Sequence, residues 1–175
     1  MKSASSLRLS YMLRVAGYTV LQVHNCLSFT TAELHNLLEN FSRGEQILVC
    51  ISTSFINTTV RKNIILDESN MNEGDLWGEH TFAFFQRLGR LVKTYKCPVL
   101  MGGWEIEPYK FLKEYRYKWG FDVLDEFVSY YVTNNDIDII HKFCNDEPVN
   151  FFKIKNSRIA EGREILDYSD CSSAP

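Results

Sequence analysis

The sequence predicts an α/β fold: a doubly wound, mainly parallel sheet with helices on both faces. Three observations lead to it. Strand-like and helix-like segments alternate along the chain, the pattern of βαβ units. The run Ile47–Ile51 is apolar at every position, as expected of a strand covered on both sides. A later strand, Cys97–Trp104, closes on Gly102-Gly103, small residues that bring a backbone close to a neighbour or a ligand.

Each element has its own local signal. Ser3–Ala16 has apolar residues at Leu7, Leu9, Met12, Leu13 and Ala16 near helical spacing, and Gly17 sits where that helix stops. Tyr18–Asn25 alternates Val20 and Val23 with Thr19 and Gln22, which predicts a strand. Thr30 with Glu33 forms a capping-box pattern opening a helix over Thr31–Phe41. Gln46–Phe55 is a strand ending in Ser52-Thr53-Ser54, and Asn57–Gly78 is a polar loop with an apolar island at Ile64–Leu66. Glu79–Tyr95 is helical, the glycine-ending strand comes after it, and Pro108–Trp119 is an aromatic-rich helix. Glu126–Val132 is a strand, Asn135–Phe143 a short helix, and Phe151–Ile159 with Glu164–Tyr168 a small appended hairpin or extended tail. The division expected is an α/β domain over 1–148 and a tail or linker over 149–175.

Composition narrows the function classes. The chain of 175 residues is 45% hydrophobic and 23% charged, which is globular. Lys+Arg 19 against Asp+Glu 22 gives a net charge of −3, without the concentrated basic face of a nucleic-acid binder. The most basic stretch, Lys110–Lys118, is interleaved with Tyr109, Phe111, Tyr115 and Tyr117; it suits a solvated helix face, or base stacking. No apolar run approaches the roughly 18 residues of a membrane span. Met1–Val20 carries Arg8 and Arg14 and does not read as a secretory signal. The cysteines at 26, 50, 97, 144 and 171 read as reduced thiols, so a cytoplasmic location is expected. None stands in CxxC or CxxxCxxC spacing, so the chain itself is expected to hold no iron–sulfur cluster.

In a parallel sheet, ligands gather at the carboxyl ends of the strands, beyond a topological switch point. The candidate binding residues are therefore Ser52, Thr53, Ser54, Gly102, Gly103 and Thr133. The serine–threonine triplet suits an amide or a phosphate, or simply ends a strand and caps the segment after it. The glycine pair suits a ligand lying on the backbone, or a tight turn at positive φ. Glu105 and Glu107 could do acid–base work, although Glu107 before Pro108 equally complements a helix dipole. His24 reads as a strand-end residue with a structural hydrogen bond, His35 as solvent-facing, and Cys50 as a buried thiol. His80 and His141 have no histidine or cysteine at ligand spacing.

Several segments resemble the N-terminal cobalamin-binding domain of cobalamin-dependent radical SAM enzymes. Leu13–Val20 (LRVAGYTV) is similar to that family's opening LRkaGYeV, and Thr31–Leu38 to the helix after it. Ile51–Phe55 (ISTSF) resembles giStsf, Pro98–Gly103 (PVLMGG) resembles p.iivGG, and Phe121–Val132 resembles the vDyvv strand. Glu164–Tyr168 (EILDY) is similar to the segment joining that domain to the radical SAM barrel, so the likeness runs over about residues 7–168. It implies a flavodoxin-like or Rossmann-like domain that binds cobalamin, without catalysis by this chain alone. The chain departs from the family in three ways. It opens on the first helix, without the central strand that precedes it. It reads Thr133-Asn134-Asn135-Asp136 where the family has GeGE, and it has no CxxxCxxC. The resemblance therefore implies a truncated or vestigial domain, partnered by a radical SAM catalytic domain or by a second copy through an open sheet edge. The alternative is an interaction module with a dead pocket that associates through that edge. A stand-alone nucleotide hydrolase or transferase finds no GxxxxGK[ST], GxGxxG or Ser–His–Asp spacing here.

Overall fold

A computed structural model describes residues 4–24, 26–52, 71–103, 124–134, 136–154 and 156–163. Their elements are α1 (Ala4–Val15), a 3₁₀ turn (Cys26–Ser28), α2 (Thr31–Ser42), β1 (Val49–Ser52), α3 (Met71–Thr94), β2 (Val99–Gly102), β3 (Tyr130–Thr133), α4 (Asp136–Cys144), β4 (Phe151–Ile154) and β5 (Ser157–Glu161). The fold is α/β, with a five-stranded sheet in the order β1-β2-β3-β5-β4. β1, β2, β3 and β5 run parallel, and β4 turns back against β5 as a hairpin.

Alternation along the strands sends successive side chains to opposite faces, and both faces are covered. Val99, Met101 and Tyr131 pack with Leu34 of α2 and with Phe84, Leu88 and Val92 of α3. Leu100, Val132 and Ala160 pack with Leu13 of α1 and with Ile139 and Ile140 of α4. All four residues of β2 are buried, which is why its sequence is apolar throughout.

A half-buried carboxylate, Asp125, joins β5 to β3. The Tyr131 hydroxyl donates to Asp125 Oδ1 at 2.8 Å, and the Ser157 hydroxyl donates to the same oxygen. Both donors are 1% exposed, so each depends on Asp125 for a hydrogen bond that water cannot supply. On α2 the expected capping box is present: Glu33 N–H donates to Thr30 Oγ1 at 3.3 Å, and Thr30 N–H donates to Glu33 Oε2 at 2.7 Å. That exchange holds the Glu33 carboxyl below the usual range.

Three expectations are corrected. The described part of Tyr18–Asn25, residues 18–24, is not a strand and joins no described strand. It is held from the side instead, by Tyr18 Oη against His141 Nδ1 at 3.0 Å and by the Arg14 guanidinium donating to Val20 O at 3.0 Å. The strand expected from Glu126 begins only at Tyr130, because residues 124–127 form a helical turn that places Phe127 against α3. Helix α3 starts at Met71, inside the predicted loop, while 57–70 and the predicted helix 108–119 lie outside the described residues.

Gly89 makes the Phe127 contact possible. A Cβ there would lie 2.6 Å from Phe127 Cδ1. An interior helix Gly→Ala change ordinarily gains up to about 1 kcal/mol, and overpacking costs roughly 1–3 kcal/mol. Gly89→Ala is therefore expected to lower the denaturation midpoint, with a net loss of about 1–2 kcal/mol. A raised midpoint would mean that the ring yields freely.

Candidate functional site

The parallel register sets the site. Ser52 stands level with Gly102, and Gly102 with Val132, so three strands end together and Thr133 lies one residue beyond. Ser52, Gly102, Gly103 and Thr133 all line one open cavity of about 2320 Å³. Thr53, Ser54, Glu105 and Glu107 lie outside the described residues. A smaller depression of about 410 Å³ lies at the opposite, amino end of the strands, by Pro98 and Ser129, beside the exposed Lys93–Glu126 ion pair. Gln46, Lys96 and Ser129 also line it, and the Ser129 hydroxyl is already engaged by the Val99 N–H at 3.1 Å.

The large cavity is open along the edge of the sheet. Val49 N–H donates to Pro98 O at 3.0 Å, which assigns residues 49 and 51 to the β2 side. Neighbouring residues of a strand point their backbone groups in opposite directions, so the N–H and C=O of Cys50 face the cavity. Cys50, expected to be buried, is instead exposed to this space. Its thiol is nevertheless walled in by the surrounding chain, and burial pushes its pKa up to about 12, with Cys144 and Asp136 adding to the rise. It is a poor nucleophile at neutral pH.

Asp136, in the first turn of α4, was not among the residues expected at the site. A Cβ on Gly102 would lie 2.9 Å from Asp136 Oδ1, so the missing side chain of Gly102 makes room for this carboxyl. No described residue donates a hydrogen bond to it, and burial raises its pKa to about 6. Asp138, two residues further along α4, shows the contrast. Burial alone would raise it, but the Lys142 ammonium at 2.8 Å and the Arg163 N–H at 2.8 Å hold it below the usual carboxylate range. The difference is partnership. A carboxyl directly after a strand's carboxyl end, opposite a strand-terminal glycine, is the sequence signal that marks Asp136.

Two other polar groups are left without described partners. Thr133 is 2% exposed and its Oγ1 has no hydrogen-bond partner. His24, expected to make a structural hydrogen bond, makes none with a described residue and lines the cavity. Gly103 adopts φ +117, the turn conformation that favours glycine. His141 and His35 are structural: the first meets Tyr18, and the second meets Tyr95 Oη at 2.8 Å on the surface. The switch point expected beside the site is not seen among the described strands, since β1, β2 and β3 lie side by side in chain order. Among the described residues no helix is long and apolar enough to cross a membrane, and no three His, Cys, Asp or Glu cluster as a metal site.

No protein-family model, curated protein or solved structure matches this chain.

The raised pKa of Asp136 has a defined sign. Its folded value, about 6, exceeds the unfolded value of about 3.9, so its contribution is most favourable below pH 4 and is lost as pH rises through 6. Asp136→Asn is expected to stabilise the protein at pH 8 by about 2–3 kcal/mol and to change little at pH 4. Denaturant titrations of both proteins between these pH values check it. Parallel pH profiles would show an ordinary, solvated carboxylate.

Proposed function

We propose that the chain is a cobalamin-binding-type domain of a radical SAM protein, flavodoxin-like in topology, which binds and does not catalyse on its own. The observation that carries this reading is the meeting of Ser52, Gly102, Gly103 and Thr133, from three parallel strand ends, around one cavity. At about 2320 Å³ that cavity exceeds the roughly 300–1,000 Å³ of ordinary small-molecule sites, which favours a bulky occupant. The placement of α1 and α4 on one face and of α2 and α3 on the other supports the doubly wound topology.

The donor set suits a neutral ligand rich in amides. The Asp136 carboxylate, above pH 6, has hydrogen bonds to accept, and the N–H groups of a carboxamide supply them. A phosphate fits less well, because Asp136 brings negative charge to the helix terminus that an anion would use. The short side chain of Ser52 and the turn at Gly103 keep the rim low, so that a flat ring system can lie on the backbone. A catalytic domain carrying the iron–sulfur cluster would then be the partner, in the cytoplasm.

Titration with hydroxocobalamin, followed by visible absorbance, tests the reading. A saturable change in the corrin bands is expected. A spectrum unchanged at high micromolar protein would overturn it.

A further inference from the structure

Asp136 is placed where it can read charge at the rim. It lines the cavity from the first turn of α4, half-buried, and a Cβ on Gly102 would lie 2.9 Å from its Oδ1. Its own helix makes no use of the carboxyl. No described residue donates a hydrogen bond to it, whereas Asp138, two residues on, accepts from Lys142 Nζ and from the Arg163 N–H. A carboxylate engaged with the helix dipole would stand below the usual range; burial raises Asp136 to about 6 instead. Thr133 lines the same cavity from the end of β3 and is a second unmatched group, 2% exposed and with no partner for its Oγ1. Few charges bear on Asp136. From β1 the Cys50 thiol lies close enough to feel it, but with its own pKa pushed up to about 12 that thiol stays neutral. From β2, Gly102 presents only backbone. On α4, burial raises the Cys144 thiol as well. Arg43, Glu45, Asp146 and His24 also line the cavity, and none of them shifts Asp136. One carboxyl therefore sets the charge at this point of the rim.

We propose that Asp136 makes the rim discriminate a carboxamide from the corresponding carboxylic acid, and that a proton on Asp136 controls the discrimination. This rests on the rim being the binding site, as proposed above, and not on the corrin. A carboxylate brought against ionised Asp136 places two like charges together with little water between them, which both resist. Such a ligand enters only with a proton, which the two carboxyls then share. A carboxamide enters in either state. Its N–H donates to the carboxylate, and when Asp136 is protonated its C=O accepts from the carboxyl O–H. Above pH 6 the rim therefore excludes acids, and below pH 6 it admits acids and amides alike. A ligand rich in side-chain amides would be told apart from its incompletely amidated forms.

The test uses the whole chain with benzamide and benzoate, which share a ring and differ in this one group. Binding is followed by NMR through the backbone amide of Gly103, which lines the cavity, at about pH 5 and about pH 7.5. Benzamide is expected to shift that amide with an affinity that changes less than about threefold between the two conditions. Benzoate, charged at both, should bind comparably at the lower pH and about tenfold or more weakly at the higher. The fall follows because ionised Asp136 gains about tenfold over its neutral form for each pH unit above 6. Asp136→Asn keeps the volume beside Gly102 and should remove the fall. A benzoate affinity that does not fall, a fall that survives in Asp136→Asn, or no shift of Gly103 by either probe overturns the proposal. Hydroxocobalamin is titrated in parallel. An unchanged corrin spectrum alongside the expected behaviour of the two probes overturns the cobalamin reading alone.

Discussion

The parallel register of β1, β2 and β3 is the constraint on which the rest of the molecule depends. Because Ser52, Gly102 and Val132 stand level, three strands stop at one rim, and the helix after β3 starts directly over the end of β2. Glycine at 102 leaves room for the Asp136 carboxyl, whose Oδ1 lies 2.9 Å from where a Cβ would stand. The same crowding strips water from Asp136 and raises its pKa. One geometric fact thus produces the glycine, the buried carboxyl and the rim.

Energetically, the polar groups of the structure differ in kind. Asp125 gathers two buried hydroxyls, and Asp138 gathers a lysine and a backbone N–H, so that these carboxylates are satisfied. Around the cavity, Asp136 and Thr133 lack described partners and the outward backbone groups of Cys50 are unmatched. Buried polar groups without partners cost stability, and they persist where function uses them. The satisfied side reads as scaffold, and the unsatisfied side as the part that meets something else.

Much of the scaffold was legible in the sequence. The apolar run at 97–102 located β2 because a strand buried on both faces leaves no alternation to misread. The run at 47–51 located β1 as well, but the expected cover on both faces is not there: Val49 and Ile51 are half-buried, and Cys50 and Ser52 are exposed. Thr30 and Glu33 located the start of α2 because a capping box is encoded within four residues. The failures share a cause, which is that the deciding contact lies far away in sequence. Tyr18–Val23 has strand-like alternation but joins no described strand. Phe127 has the composition of a strand residue, yet Gly89, 38 positions earlier, offers its ring a berth on α3 and holds it in a turn. Asp125, Tyr131 and Ser157 show no local pattern, and neither does the approach of Asp136 to Gly102. Ser52, Gly102, Gly103 and Thr133 could be picked out from strand ends alone; the charge and the open edge beside them could not.

The account rests on β1 being the edge strand of the described sheet, paired with β2 on one side. Amide hydrogen exchange of the free protein, resolved residue by residue, tests this most directly. The account predicts strong protection at Ile51, whose N–H faces β2, and fast exchange at Cys50, whose N–H faces the cavity. Equal protection at the two positions would mean that β1 is already paired on both sides, and the account would be wrong.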